Sequence, residues 1–226
     1  MSNIDVKQDD SSGWDHYWSK NSERKIYDFI AEFYRKFIIR PALNFFIKKY
    51  FKKNDVLIHA GCGSGQVDRD IRSYANITGL DYSPEAIKVF QKENGSHCKG
   101  IVGSVFAMPF EANSIDGIYN LGVMEHFTEE DIKKILIEFS RVLKVNGKIV
   151  LFWPPEFGMS VIFFKVLGKI FSFFGKTLSI SPDEITRIQS TKHALKILEG
   201  SGFKSVQNYF GPRDVFTYFV LVAQKT

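Results

Sequence analysis

The 226-residue sequence predicts an α/β fold, a doubly wound and mostly parallel sheet of seven strands. Three observations carry that reading. Short apolar runs alternate with helical patterns between residues 55 and 153, which implies βαβ units with crossovers on both faces of a parallel sheet. The first of these runs, Val56-Leu57-Ile58-His59-Ala60, ends in glycines at alternate positions, Gly61, Gly63 and Gly65. The last two runs, residues 203–210 and 215–223, are joined through Gly211-Pro212-Arg213-Asp214 and read as an antiparallel hairpin.

Composition bounds the rest. With 44% apolar residues the chain supports one domain, residues 1–226, with a sizeable core. Within it, residues 1–12 read as a disordered tail, 13–53 as an N-terminal helical cap and 154–189 as a helical insertion after the fifth strand. A formal charge of +5 favours anionic partners, lipid headgroups or nucleic acid, without choosing among them. Cys62 and Cys98 form no C-x-x-C pair, so neither a zinc site nor a disulfide framework is indicated and a reducing, cytoplasmic setting fits. Residues 1–10 are polar and acidic, unlike the apolar core of a signal peptide.

In chain order, Trp14-Asp15-His16-Tyr17-Trp18 is an aromatic cluster ahead of a helix, either a staple that anchors the arm or a lid. Between residues 22 and 40, Ile26, Phe29, Ile30, Phe33, Phe37 and Ile38 recur at three and four, an amphipathic helix. Pro41 should stop it and open a second helix over 42–51. Strand one spans 55–59, a helix 67–74, and strand two 76–80. Ser83-Pro84 caps a helix through residue 91. Strand three spans 98–103, strand four 115–120, and a long helix 128–143. Val145-Asn146-Gly147 reads as a turn before strand five at 148–153, and a last helix covers 190–199.

The chemistry-bearing motif is the glycine triplet with the acid Asp81 about twenty residues on, where a carboxylate can accept both hydroxyl hydrogen bonds of a ribose. A dinucleotide fingerprint would need glycine where Gln66 stands, and no phosphate-binding G-x-x-x-x-G-K-[ST] loop occurs. These residues, with Leu80-Asp81-Tyr82-Ser83-Pro84-Glu85-Ala86, Ala107-Met108-Pro109-Phe110, residues 115–127 and residues 141–147, resemble the class I S-adenosylmethionine-dependent methyltransferases. Within that family the chain is similar to the small-molecule and lipid enzymes of the ubiquinone and menaquinone group.

The resemblance implies a Rossmann-like sheet whose cofactor, S-adenosyl-L-methionine, lies across the C-terminal strand ends and leaves as S-adenosyl-L-homocysteine. By position it implies contacts from His59, Gly61, Cys62, Gly63 and Gly65, ribose hydroxyls on Asp81, and adenine between Tyr82 and the pair Ser104 and Val105. Asn120 and Leu121 would lie near the sulfonium end. Two residues depart from the family pattern. It usually has an acid where His59 stands, to hold the cofactor's ammonium, and often an aspartate where Ser104 stands. A neutral imidazole can accept one such bond; a protonated one repels the ammonium. A strand-end histidine satisfied by backbone is the alternative.

His126, after strand four, is the candidate catalytic base or acceptor-positioning residue, with a loop-anchoring role as the alternative. Gly122 stands where related O-methyltransferases carry the first Glu of a Glu-x-x-Glu-His metal site, so no metal is expected. Tyr17, Trp18 and Trp153 are candidate substrate contacts. In the insertion, residues 158–178 combine Phe, Ile, Val and Leu with a stripe of Lys165, Lys169 and Lys176. Each central lysine costs a bilayer-spanning helix about 2.5–3.5 kcal/mol and each apolar residue returns only about 0.3–0.6, so spanning is disfavoured. A lid over the substrate, a membrane-surface helix and a dimer contact remain open.

The expected function is methyl transfer to a hydrophobic or amphipathic small molecule, quinone-like, lipid-linked or a natural product. RNA methylation and a non-catalytic cofactor-binding scaffold are the alternatives. The expected partner is the acceptor, joined by the inner face of a membrane only on the membrane-surface reading of 158–178; nucleic acid is not an expected partner, and the protein is expected to be a monomer or homodimer.

Overall fold

The computed structural model describes residues 32–158 and 185–226. The tail, the aromatic cluster with Tyr17 and Trp18, most of the first amphipathic helix and the core of the insertion lie outside the described residues.

Seven strands form one sheet in the order β3-β2-β1-β4-β5-β7-β6. They are β1 (Val56–Ala60), β2 (Asn76–Asp81), β3 (Lys99–Val102), β4 (Ile115–Leu121), β5 (Leu143–Trp153), β6 (Phe203–Tyr209) and β7 (Phe219–Lys225). Strands β1 to β5 pair in parallel, while β7 runs antiparallel to both β5 and β6. Helices α1 (Arg40–Tyr50) and α2 (Pro84–Asn94) cover one face; α3 (Glu129–Val142) and α4 (Thr191–Glu199) cover the other. This is the doubly wound sheet with a terminal antiparallel pair that the sequence predicts.

Local chemistry explains most boundaries. The Ser83 hydroxyl accepts from Ala86 N–H at 3.1 Å and Thr128 from Asp131 N–H at 3.2 Å, caps that contribute about 1 kcal/mol each. Glu129, Glu130 and Asp131 in the first turn of α3 complement its positive end. On β1, Ile58 and Ala60 enter one core and Leu57 the other, so both faces of this central strand are dry.

Four expected boundaries are corrected. Pro41 does not end a helix: a π-helical turn, Arg35–Ile39, runs directly into α1, with Arg40 N–H bonded to Arg35 C=O. The wider turn carries the backbone past a proline in the first turn of α1. The helix expected over 67–74 is only a 3₁₀ turn, Gln66–Asp70, followed by loose turns, because the Asp68 side chain is tied into the sheet beneath. Asn146, at φ 64, does not reverse the chain but sits inside β5, whose pairing with β4 shifts between Ile115 and Gly117. The second hairpin strand begins at Phe219, since Val215 and Phe216 adopt left-handed backbone.

Candidate active site

The strand order reverses between β1 and β4, and in an open sheet of this kind the ligand crevice lies at the C-terminal strand ends of that switch point. After Ala60 the backbone turns through Gly61, Gly63 and Gly65, all at positive φ (66°, 49° and 61°). Gly61 and Cys62 donate their N–H groups to Leu80 C=O at 2.8 and 3.1 Å, which fastens the loop to β2. A Cβ on Gly61 would come within 2.5 Å of Val123, in the turn after β4, so glycine permits the loop to close against that strand. At Gly65 a Cβ would sit 2.3 Å from the Phe90 ring.

Asp81 ends β2 and meets the loop. Its Oδ2 accepts Gly63 N–H at 2.8 Å and its Oδ1 accepts Ser83 N–H at 3.0 Å. Burial raises its carboxyl above the usual range, against the lowering effect of those two donors. Each oxygen keeps a further lone pair for a hydroxyl donor. Tyr82 next to it is 40% exposed. Burial, then the Asp81 charge, pushes the Cys62 thiol up, and its packed side chain leaves only the backbone to face a ligand.

Across the crevice, Ser104 and Val105 follow β3 and are half-buried; the Ser104 hydroxyl accepts Phe106 N–H at 3.2 Å. Asn120 is fully buried near the end of β4, and neither atom of its amide has a partner among the described residues. Leu121 is half-buried beside it. His126 lies in the 3₁₀ turn Met124–His126 just beyond, half-buried. Trp153 corrects an expectation. Its ring is wholly within the core and its Nε1–H donates to Thr186 C=O at 2.9 Å, so it anchors the chain after the insertion instead of facing a substrate. Among the described residues no three His, Cys, Asp or Glu side chains gather as a metal site.

His59 is buried with Nδ1 2.8 Å from Asp68 Oδ2, and Tyr119 donates its hydroxyl to Asp68 Oδ1 at 2.8 Å. Sequence reasoning missed Asp68 and Tyr119. The available signal was a histidine in an acid's place with an acid nine residues on.

At the far end of the crevice, β7 starts opposite Trp153, the last residue of β5, which puts the loop 210–218 at the same sheet edge as the glycine loop. Phe210 is ringed by Phe157 at 5.3 Å, Phe216 at 5.5 Å and Phe219 at 6.2 Å between centroids. Phe157, Ile185, Val215 and Phe216 remain between 41% and 61% exposed.

Comparison with known proteins agrees with this geometry. Residues 58–151 match the family described as Methyltransferase domain. Demethylmenaquinone methyltransferase of Chlorobaculum tepidum is 30% identical over 161 residues, 67% of this chain and 64% of that protein. The chloroplastic 2-methyl-6-phytyl-1,4-hydroquinone methyltransferase of Arabidopsis thaliana is 32% identical over 142 residues, 61% of this chain and 36% of that one. A human relative named "Probable tRNA methyltransferase 9B" is 24% identical over 107 residues, 46% of this chain and 23% of its own length. A methyltransferase of Haloferax volcanii, solved in complex with the Trm112 activator, superposes with a TM-score of 0.65 at 15% identity, covering 94% of this chain and 97% of that one. The chain carries a class I S-adenosylmethionine-dependent methyltransferase domain. It spans less than two thirds of each of these three curated relatives.

The residues fit the cofactor of that class. A loop of positive-φ glycines permits close approach, Asp81 suits ribose hydroxyls, and the Asn120 amide is a buried donor and acceptor awaiting a polar group.

Proposed function

We propose that the protein transfers a methyl group from S-adenosyl-L-methionine to a hydrophobic or amphipathic small molecule of the prenylated-quinone or lipid-linked kind. The observation that carries the acceptor class is the aromatic cluster of Phe157, Phe210 and Phe216 at the C-terminal strand ends, with Phe157 and Phe216 48% and 41% exposed among the described residues. The quinone names of the two relatives at 30% and 32% identity support it.

When bound, the cofactor supplies a methyl activated on a sulfonium. The chain's own part is alignment and exclusion of water. Gly61, Gly63 and Gly65 receive the methionine and ribose portions, Cys62 contributes backbone, and Asp81 accepts the ribose hydroxyls. Tyr82, Ser104 and Val105 would hold the adenine, and Asn120 and Leu121 would border the reacting end. His126 takes the proton from an acceptor oxygen or nitrogen through a ring nitrogen. Its exchange for Ala with cofactor affinity retained lowers turnover by about 10²–10⁴-fold if it is the base; unchanged turnover removes that role.

The test is transfer of labelled methyl to a panel of prenylated hydroquinones, lipid extracts and tRNA. Label in the apolar acceptors supports the reading. Label in tRNA alone favours the second reading, RNA methylation, for which the net charge of +5 and the tRNA-methyltransferase relative speak. Cofactor binding without transfer to anything favours a scaffold. No helix among the described residues is long and apolar enough to cross a membrane. Charge-dependent flotation with anionic vesicles, abolished by Lys165, Lys169 and Lys176→Glu, tests a peripheral contact.

A further inference from the structure

Seven cations, Arg35, Lys36, Arg40, Lys48, Lys49, Lys52 and Lys53, fall between residues 33 and 54, and no Asp or Glu stands among them. Seven exceeds the formal charge of +5 for the whole chain, so the remainder is slightly acidic and the basic character is local. The segment is the π-helical turn Arg35–Ile39, α1 and the residues just after it. Ala42, Leu43, Phe46 and Ile47 turn one side of α1 into the core, while Lys36, Lys48, Lys49, Lys52 and Lys53 are all exposed. Among the described residues none of these five lysines forms an ion pair. The ammonium groups of Lys36, Lys48 and Lys49 lie 5.1, 5.7 and 5.8 Å from the ring centres of Phe37, Tyr74 and Phe45. Their apolar stems thus run over aromatic surface and the charges stay in water. At the head of this face Phe33 and Phe37 are 54% and 55% exposed, with ring centroids 4.5 Å apart. The π-helical turn packs on the turn Gln66–Asp70 after the glycine loop, where Arg40 pairs with Asp70, and on the turn Pro212–Asp214. Arg213 of that second turn adds an exposed guanidinium over Phe45. From this crevice end α1 descends to the opposite strand ends, where Phe51 packs on Gly117 near the start of β4.

We propose that this face docks the protein on an anionic phospholipid bilayer, with the lysines on the headgroups and Phe33 and Phe37 in the acyl boundary beside the crevice. Charge complementarity carries the choice of partner. Each lysine held near such a surface raises the partition about fivefold, and this segment offers five with no acid among them to oppose the field. Two exposed rings then secure a contact that charge alone would lose to salt. A nucleic acid fits the same face less well. Lysines are point charges without the planar fork of arginine, and rings 4.5 Å apart leave no room for a base between them. The face is separate from residues 158–178 and does not depend on which acceptor is methylated. Its consequence for the reaction is placement: the end of the face that carries the rings is the crevice end, so an apolar acceptor dissolved in the bilayer has a short path to the site.

Flotation of the full chain tests this, with vesicles of phosphatidylcholine alone and with about 30% phosphatidylglycerol, at low and raised salt. The wild type is expected on the anionic vesicles only, with the bound fraction falling as salt rises. Lys36, Lys48, Lys52 and Lys53→Gln together should weaken the partition on the order of a hundredfold and flatten its salt dependence. Phe33→Ser with Phe37→Ser should weaken it about tenfold and leave the salt dependence in place. All six side chains are exposed, and an unchanged Tm reports that the variants are folded. A wild type that binds neither vesicle, or both equally, overturns the proposal. So does a four-lysine variant that floats like the wild type while Lys165, Lys169 and Lys176→Glu does not, which moves the contact to the insertion. Retention of tRNA but not of vesicles through the same four lysines overturns it in favour of RNA. Vesicle binding without methyl transfer to prenylated hydroquinones supports the docking face and removes the acceptor reading above.

Discussion

The two ends of the crevice are built by opposite means. At the β1–β2 end, polar groups are wired to one another at short range: Gly63 N–H and Ser83 N–H on Asp81, His59 and Tyr119 on Asp68. At the β5–β7 end the lining is aromatic, and the loop that presents it, residues 210–218, takes two consecutive left-handed residues, Val215 and Phe216. That strained pair is held by Asp214, whose Oδ2 accepts Tyr218 N–H at 2.6 Å, and by the Arg213 guanidinium lying 3.6 Å from the centre of the Phe45 ring on α1. A fixed polar ligand suits directional bonds, whereas an apolar acceptor suits shape and exposed area. The difference teaches that the two ends can be damaged separately.

The largest expected effect breaks the polar end outright. Gly65→Val puts a Cβ 2.3 Å from Phe90 and 2.6 Å from the Asn94 amide. Left-handed backbone costs a β-branched residue about 1–2 kcal/mol and overpacking about 1–3 kcal/mol, so a loss of about 2–5 kcal/mol is expected in urea unfolding. An unchanged midpoint means the loop is not seated on α2 in this way. Next, Asp81→Asn removes the charged acceptor and should weaken S-adenosylhomocysteine and methylthioadenosine alike by about 10–100-fold, read by calorimetry. Loss confined to one of them would take the ribose away from Asp81.

At the apolar end the effects are smaller and should spare the cofactor. Phe216→Ala is expected to lower kcat/KM for prenylated acceptors about tenfold through lost burial, with S-adenosylhomocysteine affinity unchanged. Equal loss for polar and apolar acceptors would deny the rim a part in selection. Val215→Gly relieves one left-handed residue and should stabilise the fold by up to about 1 kcal/mol, visible as a raised Tm.

The smallest effect is a pH slope from the clamp. Burial raises the Asp214 carboxyl to about 6 from the usual 3.8, against bonds from Tyr218 and Thr217 N–H that lower it. A raised value means the folded protein binds the proton more tightly. The stabilisation is therefore full below the unfolded value and is lost as pH rises through about 6. Tm measured between those pH values should fall with rising pH in the wild type, and Asp214→Asn should flatten that component. Parallel profiles would mean Asp214 does not titrate there.

Much of the polar end was legible in the sequence. The run ending at Ala60, the three glycines and Asp81 are local features whose spacing alone states a strand, a turn with positive φ and a carboxylate at the next strand end. The capped start of α2 was equally local, since a hydroxyl reaches only three residues along its own chain. The structure then decided what periodicity does not carry. Trp153 ends an apolar strand and could face either a substrate or the core; packing placed it in the core, bonded to Thr186. Val215 and Phe216 belong to the best strand formers, yet the bond from Tyr218 N–H to Asp214 removed them from β7. Tyr119 and Asp68 are 51 residues apart, and they meet because β4 lies beside β1 and the turn after Gly65 lies over both. Residue spacing determines which groups lie along one strand or helix; only the order of strands in the sheet determines which of them meet in a buried hydrogen bond.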